Sequence, residues 1–374
     1  ARDHLSFCYR LLTKHRTFAW AGLGLVVLVM CFSHPVQAAK TPVTTAPVEQ
    51  WSLGSMLFTA PPCQKPGWFP TGFGLKDHTI FWHAGYYYLV SIYLPGEAQF
   101  AYGRSTDLCT WETLAPILTE RRAGSWDEYA VWAPHVFVEN GVYYMYYTGV
   151  TNHYTQSILL ATTTNPAEPA SWEEQGVVFQ PDHPGDNWQA GQWADCRDPA
   201  VFRIGPQLYL YYTAADETGG IIGLATAADP AGPWRDWGTV IDPVKLPSIS
   251  REDPGEAAWQ SSAAYMPSRI QTNIPESATI FYAHSSYYLF YHYSGGDEVY
   301  RIGPSPAGPW SEPRTIAPGW AHEVWTGQAG QVYTSYLTSY AVTISPLTWN
   351  MAFDPPRPFI GSQVFNTILP LILR

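Results

Sequence analysis

Charged side chains are scarce in this sequence, and basic ones are the scarcer kind. Asp, Glu, Lys and Arg make up only 14% of the 374 residues, and 31 acidic residues outnumber 20 basic ones. The chain has no basic cluster. Nucleic acids and anionic lipid surfaces bind through clustered Lys and Arg, so an acidic chain of this kind is a poor partner for either. We therefore expect an uncharged partner and no nucleic acid.

The first 38 residues are expected to leave the protein. Their apolar run, residues 18–32, falls short of the roughly 20 residues that span a bilayer. Basic residues precede the run, and Val36-Gln37-Ala38 supplies small residues at the spacing that signal peptidase reads. We interpret residues 1–38 as a secretory signal, which predicts an extracellular protein with no membrane contact. A membrane anchor is the alternative.

Cysteine is also scarce. Without the signal the chain keeps Cys63, Cys109 and Cys196, and it holds 16 basic against 30 acidic residues, since the signal carries four of the bases and one of the acids. Three cysteines form at most one internal disulfide, so the fold does not rest on a disulfide framework. No CxxC or His-rich spacing predicts a structural metal.

Aromatic residues, Pro and Gly are abundant instead. The chain is 16% aromatic and has 33 Pro and 30 Gly. Aromatic side chains suit a pleated surface, whereas Pro and Gly interrupt helices. The composition therefore predicts an all-β protein of short strands and tight turns.

One hairpin pattern recurs five times. In residues 192–216, Asp198 precedes a short apolar strand, a Gly-Pro turn and a strand of alternating tyrosines. Similar stretches begin at Leu75, Trp132 and Pro275, and a weaker copy begins at Ala321. Each copy is followed by a strand of small residues, a turn and a Trp. In four copies this Trp lies 34 to 37 residues after the hairpin entrance, and the five are Trp111, Trp172, Trp234, Trp310 and Trp349.

Five such units predict a five-bladed β-propeller over residues 51–374, following a linker at 39–50 and ending in an apolar tail. A single blade leaves both faces exposed, so neighbouring blades must cover one another and the ring forms one domain. Two stacked β-sandwiches would not explain a fivefold repeat. The fifth unit is shorter than the others.

Propeller geometry predicts where polar residues converge. The residues at the hairpin entrances should all point towards one end of the central channel, and they are Asp77, His135, Asp198, Glu276 and the pair His322-Glu323. A lone Asp before a strand is usually a turn-former. Three carboxylates at equivalent places favour a site instead, because converging like charges are costly. Glycoside hydrolysis needs one protonated and one ionised carboxyl, and a third carboxylate keeps the acid protonated.

The entrance motifs resemble a known family. KDHTIF around Asp77, WAPHVF from Trp132, RDPAVF around Asp198, PESATIF around Glu276 and the weaker AHEVW around His322 are similar to the blade motifs of family 43 glycoside hydrolases. These are arabinanases, arabinofuranosidases and β-xylosidases that invert the anomeric centre. The resemblance implies that Asp77 is the general base, Glu276 the general acid, and Asp198 the residue that tunes and orients the acid. It implies no required cofactor, but a bound Ca²⁺ near His322 is sometimes found.

The remaining pocket residues are assigned to substrate binding: Trp132, His135, Arg197, His322 and Glu323. His135 stands where the family usually has Asp, and Glu323 is an alternative acid. The sugar rings of the carbohydrate substrate are also expected to meet Trp188, Trp193 or Trp259 in the long loops, unless these pack locally. A monomer is expected.

Two other functions stay open. Arg197-Asp198-Pro199 also resembles the retaining, fructan-cleaving families 32 and 68, in which Asp77 would be a nucleophile. A secreted sugar-binding propeller without catalysis is the second alternative.

Overall fold

A computed structural model describes residues 63–242, 274–293, 298–316 and 319–361. All of the described residues belong to the unit Leu57–Arg374. The predicted signal, the linker and the domain start at Trp51 lie outside the described residues. So do Trp259 and the C-terminal tail beyond residue 361.

The described residues form 21 strands in five antiparallel sheets, and the prediction of an all-β protein is confirmed. Helix in this part of the chain amounts to one 3₁₀ turn, Pro169–Ser171, and none of it is long and apolar enough to cross a membrane. Blade 1 contains β2 (Gly74–His83), β3 (Tyr86–Leu94), β4 (Phe100–Ser105) and β5 (Glu112–Thr113). Blade 2 contains β6 (Ala130–Glu139), β7 (Val142–Val150), β8 (Gln156–Thr163) and β9 (Glu173–Phe179). Blade 3 contains β10 (Cys196–Ile204), β11 (Gln207–Asp216), β12 (Gly219–Ala227) and β13 (Arg235–Ile241). Blade 4 contains β14 (Pro275–Ala283), β15 (Ser286–Tyr293), β16 (Glu298–Gly303) and β17 (Arg314–Thr315).

Blade 5 closes the ring and is larger than the sequence indicated. Its inner strands are β18 (Trp320–Thr326), β19 (Val332–Thr338) and β20 (Ala341–Asn350), and β21 (Arg357–Ile360) pairs with β20. The outermost strand is β1 (Gly67–Trp68), which comes from the other end of the domain. Gly67 has φ 139°, and a Cβ there would lie 2.1 Å from the Val342 carbonyl oxygen, so only glycine fits this junction. The fifth sequence unit is short because the strand that completes blade 5, β1, is remote from it in the sequence.

The five sheets surround one axis. The first strand of each blade contacts the first strands of both neighbouring blades, so β2, β6, β10, β14 and β18 form a closed inner ring. The predicted five-bladed β-propeller is confirmed. One apolar cluster fills each of the five blade interfaces. Burial of these faces supplies the main driving force for ring assembly.

Tyrosine hydroxyls also link successive blades. Four buried tyrosines donate to the carbonyl oxygen of a proline in the outer turn of the next blade: Tyr102 to Pro166, Tyr146 to Pro230, Tyr211 to Pro306 and Tyr288 to Pro356. Each bond satisfies a hydroxyl that would otherwise be buried without a partner. The repeated tyrosines and prolines of the sequence thus meet in space.

Of the three cysteines that the structure describes, Cys63 and Cys109 form a disulfide that joins the segment before β1 to blade 1, and Cys196 is buried and reduced. The bridge spans 46 residues. Cross-linking a loop of this length is worth about 4 kcal/mol in the chain-entropy model. We expect the Cys63→Ser/Cys109→Ser double variant to lose about 2–4 kcal/mol of unfolding free energy, measured by urea denaturation. Dithiothreitol should lower the midpoint of the wild type alone, and equal midpoints for both proteins would contradict the prediction.

Candidate active site

Each first strand carries a register shift near its start. In β10 it lies between Arg197 and Ala200, and the other four inner strands have a shift at the corresponding place. Asp198 has φ 55° there, in the left-handed region, and so do Ala133, Ser277 and Ala321. Such a conformation costs roughly 1–3 kcal/mol per residue. Bulges of this kind re-aim side chains, and here they turn the strand entrances towards the channel.

The ladder registers correct the predicted equivalence of the entrance residues. Asp77 and Asp198 do occupy equivalent positions, but Ser277 holds that position in blade 4. Glu276 lies one residue earlier, level with Arg197. His135 and Glu323 lie two residues further along their strands, level with one another. Motif matching aligned these residues by chemical type. The strand pairing shows that they occupy three different register positions along the first strands of their blades.

The three carboxyl groups assigned to catalysis belong to one electrostatic cluster. The pKa of Asp77 responds to the charges of both Asp198 and Glu276. Asp77 and Glu276 remain partly exposed, whereas Asp198 is 7% exposed. Asp198 Oδ2 accepts hydrogen bonds from Thr213 Oγ1 at 2.9 Å and from the Ser277 backbone N–H at 3.1 Å. The site therefore has two accessible carboxyls with a third, anchored carboxyl behind them.

Arg197 is enclosed by carboxylates. Its Nη2 lies 2.5 Å from Glu276 Oε1, its Nε lies 3.7 Å from Asp198 Oδ2, and its Nη1 donates to Asp195. Burial disfavours the charge, but these carboxylates outweigh it and raise the pKa of Arg197. The Arg197 guanidinium, which was assigned to substrate binding, thus contacts the carboxyl cluster directly. Its positive charge favours the ionised form of Glu276.

The accessible carboxyls differ in protonation. Burial first, and then the Asp198 carboxylate, raise the pKa of Asp77 to about 7. Burial also opposes ionisation of Glu276, but Arg197 and His292 outweigh it and hold the pKa of Glu276 well below its ordinary value. Below about pH 7 the proton of the free protein therefore resides on Asp77, opposite to the order implied by the resemblance. The cluster still offers one protonated and one ionised carboxyl.

Glu97 is a site residue that the sequence analysis missed. Its Oε2 accepts a 2.6 Å hydrogen bond from the Trp132 indole N–H, and its Oε1 accepts one of 2.9 Å from Lys76 Nζ. Glu97 follows a Pro-Gly turn, and nothing in its local sequence distinguishes it from an ordinary turn residue. It joins Trp132 to Lys76, the residue directly before Asp77.

His135 and Glu323 line a separate part of the channel. They border a cavity of about 230 Å³ together with Thr79, Ala200 and Thr279. His135 Nε2 lies 2.9 Å from the Val201 carbonyl oxygen, and its Nδ1 lies 4.0 Å from Glu323 Oε2. Burial lowers the pKa of His135 to about 4 and raises the pKa of Glu323 well above its usual value. Burial thus favours the neutral form of both side chains and disfavours an ion pair between them.

His322 is buried against neighbouring protein groups. The residue is 1% exposed, its Nδ1 lies 2.9 Å from Thr334 Oγ1, and its ring stacks on Tyr336. Calcium prefers six to eight oxygen ligands. In the described part of the chain, no group of three or more His, Cys, Asp or Glu is arranged to hold a metal. A calcium ion near His322 stays a prediction, and no catalytic step is routed through one.

Three aromatic rings form a platform at the strand entrances of blades 2 and 3. Tyr129 and Trp193 are 43% and 38% exposed, and the Tyr154 ring lies between them, 5.0 Å and 5.3 Å away by centroids. Tyr129 directly precedes β6 and Trp193 closely precedes β10, so the platform shares the end of the propeller that carries Asp198. Hydrogen bonds between Ala194 and the backbone around Tyr154 hold the loops together.

Trp188 behaves differently from Trp193. Its indole N–H donates to the Gln156 carbonyl oxygen at 2.7 Å, and its ring lies against Trp126. Of the two loop tryptophans, Trp188 therefore packs locally and Trp193 faces solvent.

Comparisons with known proteins give a match to one family model and matches to solved structures. Residues 72–192 match the family model "Glycosyl hydrolases family 43". That range contains Asp77 and Trp132 but ends before Asp198 and Glu276. No curated protein matches the chain significantly.

Solved structures share the fold. An exo-1,5-α-L-arabinanase from a bovine ruminal metagenomic library is 18% identical with a TM-score of 0.53, over 77% of this chain and 97% of that one. An α-L-arabinofuranosidase from Lactobacillus brevis is 16% identical with a TM-score of 0.57, over 80% and 97%. A Cellvibrio cellulosa α-L-arabinanase complexed with arabinohexaose is 17% identical with a TM-score of 0.54, over 77% and 95%.

Proposed function

We propose that this chain, a family 43-like glycosidase with the five-bladed β-propeller fold, hydrolyses O-glycosidic bonds in pentose-containing polysaccharides and oligosaccharides. The observation that carries the proposal is the pair of accessible carboxyls, Asp77 and Glu276, which lie with the buried Asp198 in one cluster and whose pKa values are shifted in opposite directions. Glycoside hydrolysis requires such a pair. The carbohydrate bound by the C. cellulosa arabinanase, arabinohexaose, supports a pentose-containing substrate.

In the proposed mechanism, Glu276 protonates the leaving oxygen while Asp77 takes a proton from the water that attacks the anomeric carbon. The product would then have the inverted configuration. Because the free protein keeps the proton on Asp77, the proton must leave Asp77 and Glu276 must gain one before the reaction. Substrate that covers the site excludes water and so disfavours the charged form of Glu276. Asp195 and Asp198 continue to neutralise Arg197 when Glu276 becomes neutral.

Product release from four polysaccharides tests the proposal. Arabinan, arabinoxylan, xylan and levan are incubated with the protein, and the released sugars are identified together with their initial anomeric configuration. Pentose released with inversion is the expected result. Fructose released with retention would instead place the chain with the fructan-cleaving enzymes and make Asp77 a nucleophile. Sugar binding without release would leave a non-catalytic propeller.

We also propose that the protein works outside the cell as a monomer. The Cys63–Cys109 disulfide supports export, because disulfides persist in oxidising compartments and are rare in the cytosol. The signal-like residues 1–38 provide a route. Detection of the protein in culture medium, cleaved after Ala38, is the measurement that checks export.

The aromatic platform predicts preference for long substrates. Aromatic faces stack on sugar rings, so Trp193→Ala is expected to raise KM for a polysaccharide about three- to tenfold, with little change for a 4-nitrophenyl pentoside that occupies only the cluster. Trp237→Ala is the matched control, because Trp237 is 54% exposed but lies on the outer strand of blade 3. Equal effects of the two substitutions, or equal effects on both substrates, would contradict the prediction.

A further inference from the structure

A row of three titratable residues crosses blade 4 beneath the carboxyl cluster. Strand pairing places Glu276 on β14 opposite His292 on β15, and His292 opposite Glu298 on β16. His292 Nε2 lies 3.5 Å from Glu276 Oε2, and His292 Nδ1 lies 3.9 Å from Glu298 Oε2. The imidazole thus stands between two carboxyl groups, only one of which reaches the accessible end of the channel.

The row leads inwards from the site. His292 is 7% exposed and Glu298 only 1% exposed, whereas the Glu276 side chain keeps 22% of its surface accessible. A carboxyl group is rarely buried this deeply unless it serves a partner. Glu298 is the first residue of β16 and pairs with His292 on β15. Its position makes it a support for His292.

Charged groups on the neighbouring strands β2, β10 and β18 also act on this row. Glu276 is faced by Arg197 from β10, and Asp77 on β2 and Asp198 on β10 also belong to its surroundings. The charge of Asp77 also reaches His292.

The buried end meets blade 5. Glu298 is faced there by the backbone N–H of His322 and by the Glu323 carboxyl on β18. Burial raises the pKa of Glu298 to about 8. Burial favours neutral His292, but Glu276 and Glu298 outweigh it and raise the pKa of His292 to about 9.

We propose that His292, oriented by the buried Glu298, supplies the proton that makes Glu276 an acid. The inference rests on the proposed glycosidase function. The His292 Nε2–H bond breaks and an O–H bond forms at Glu276 Oε2, so the Glu276–imidazolium ion pair becomes two neutral groups. Neutral His292 keeps its Nδ1 proton towards Glu298. After the product leaves, His292 regains its proton from solvent through the open site. His292 and Glu298 are positioning residues that act through Glu276.

Desolvation drives this transfer in the required direction. An ion pair loses hydration when substrate covers the site, and a neutral pair loses far less. Proton transfer within the row therefore becomes more favourable as the substrate binds. This resolves the conflict between the ionised Glu276 of the free protein and the acid that hydrolysis needs.

Leaving-group dependence tests the proposal. Protonation matters for a sugar or alkyl leaving group but little for 4-nitrophenolate, which departs as an anion. His292→Gln and Glu298→Gln are each expected to lower kcat/KM for an arabino- or xylo-oligosaccharide about tenfold or more, with a change below about threefold for a 4-nitrophenyl pentoside. His183→Gln is the matched control, since it breaks a buried pair with Asp236, 2.9 Å apart, in blade 3.

The pH dependence of kcat/KM distinguishes proton supply from a structural role, because a residue with only a structural role would not shift its alkaline limb. Glu298 raises the pKa of His292, so its replacement by Gln lowers that pKa and the alkaline limb of kcat/KM should move to lower pH. Equal losses on both substrates with an unmoved alkaline limb would overturn the proposal, as would unchanged activity.

An NMR titration tests the proposal without relying on catalytic activity. NMR titration of the His292 imidazole in the wild type, Glu276→Gln and the isosteric Glu298→Gln should show a lower pKa in both variants. An unchanged pKa overturns the proposal even where His292→Gln fails to fold. Absence of wild-type activity on both substrates would instead count against the proposed function.

Discussion

Replacing Glu276 by Gln is expected to lower kcat for oligosaccharides and polysaccharides by about 10²- to 10⁴-fold, the usual worth of general acid catalysis. Gln keeps the shape of the side chain but cannot donate a proton with the required acidity. The substitution should not unfold the protein, because Arg197 retains Asp195 and Asp198 as partners. Steady-state rates on an arabino- or xylo-oligosaccharide, together with the circular dichroism of the variant, provide the measurement.

A matched control exists at the other end of β10. Glu139 forms an ion pair with Arg203, 2.5 Å apart, at the far end of β10 from Arg197. Glu139→Gln therefore breaks an Arg–Glu pair of similar geometry without touching the carboxyl cluster. It should leave kcat within about twofold of the wild type, because this pair lies away from the carboxyl cluster.

The substrate dependence of Glu276→Gln separates the acid from other roles. A 4-nitrophenyl pentoside needs little protonation, so its hydrolysis should survive far better than that of an oligosaccharide. Loss of both activities to the same extent would show that Glu276 acts in binding or in water activation. Full activity on both would remove Glu276 from the reaction, and Glu323 would become the acid to test.

The sequence allowed the propeller to be predicted because its signals are local. Alternating aromatics such as Tyr209 and Tyr211 mark strands, a Gly-Pro turn marks the reversal between them, and the repeat interval counts the blades. Blade 5 escaped this reasoning because β1 joins it from more than 250 residues away. A strand of two residues, Gly67–Trp68, carries no periodicity that would reveal it.

The site was less accessible to sequence reasoning, for two physical reasons. A side chain on a second or third strand, such as His292 or Glu298, enters the site only through cross-strand pairing, which motifs on first strands do not encode. Charge states depend on distances of a few ångströms, which residue types do not reveal. The Arg197–Glu276 contact lowers the pKa of Glu276 and so reverses the order of pKa values expected for Glu276 and Asp77.

Replacing Asp77 by Asn is expected to abolish turnover of every substrate, whatever its leaving group. Water activation is needed for activated and unactivated glycosides alike, so both rates should fall by about 10²- to 10⁴-fold. This pattern differs from that of Glu276→Gln, and rates on a 4-nitrophenyl pentoside distinguish the two. Selective loss of oligosaccharide hydrolysis alone would instead identify Asp77 as the acid, in keeping with its proton in the free protein.

The same substitution should stabilise the protein above neutral pH. Burial and Asp198 raise the pKa of Asp77 from its ordinary 3.8 to about 7 in the folded state. The folded state therefore binds more protons than the unfolded chain between these values, and the contribution of Asp77 to stability is lost as the pH rises through 7. An amide side chain at this position does not ionise and carries no such penalty. The melting temperature of Asp77→Asn should thus exceed that of the wild type at pH 8, with the difference disappearing towards pH 4.

Asp107 gives a control of opposite sign. Burial opposes its ionisation, but the backbone N–H groups of Thr110 and Cys109, 2.7 Å and 2.8 Å from Oδ1, outweigh it and lower the pKa of Asp107. Asp107→Asn should therefore destabilise the protein at pH 8, and this loss should shrink as the pH falls below the usual pKa of an aspartate. A melting temperature of Asp77→Asn at or below that of the wild type at pH 8 would contradict the raised pKa of Asp77. In that case, the proton of the free protein would have to be sought elsewhere in the cluster.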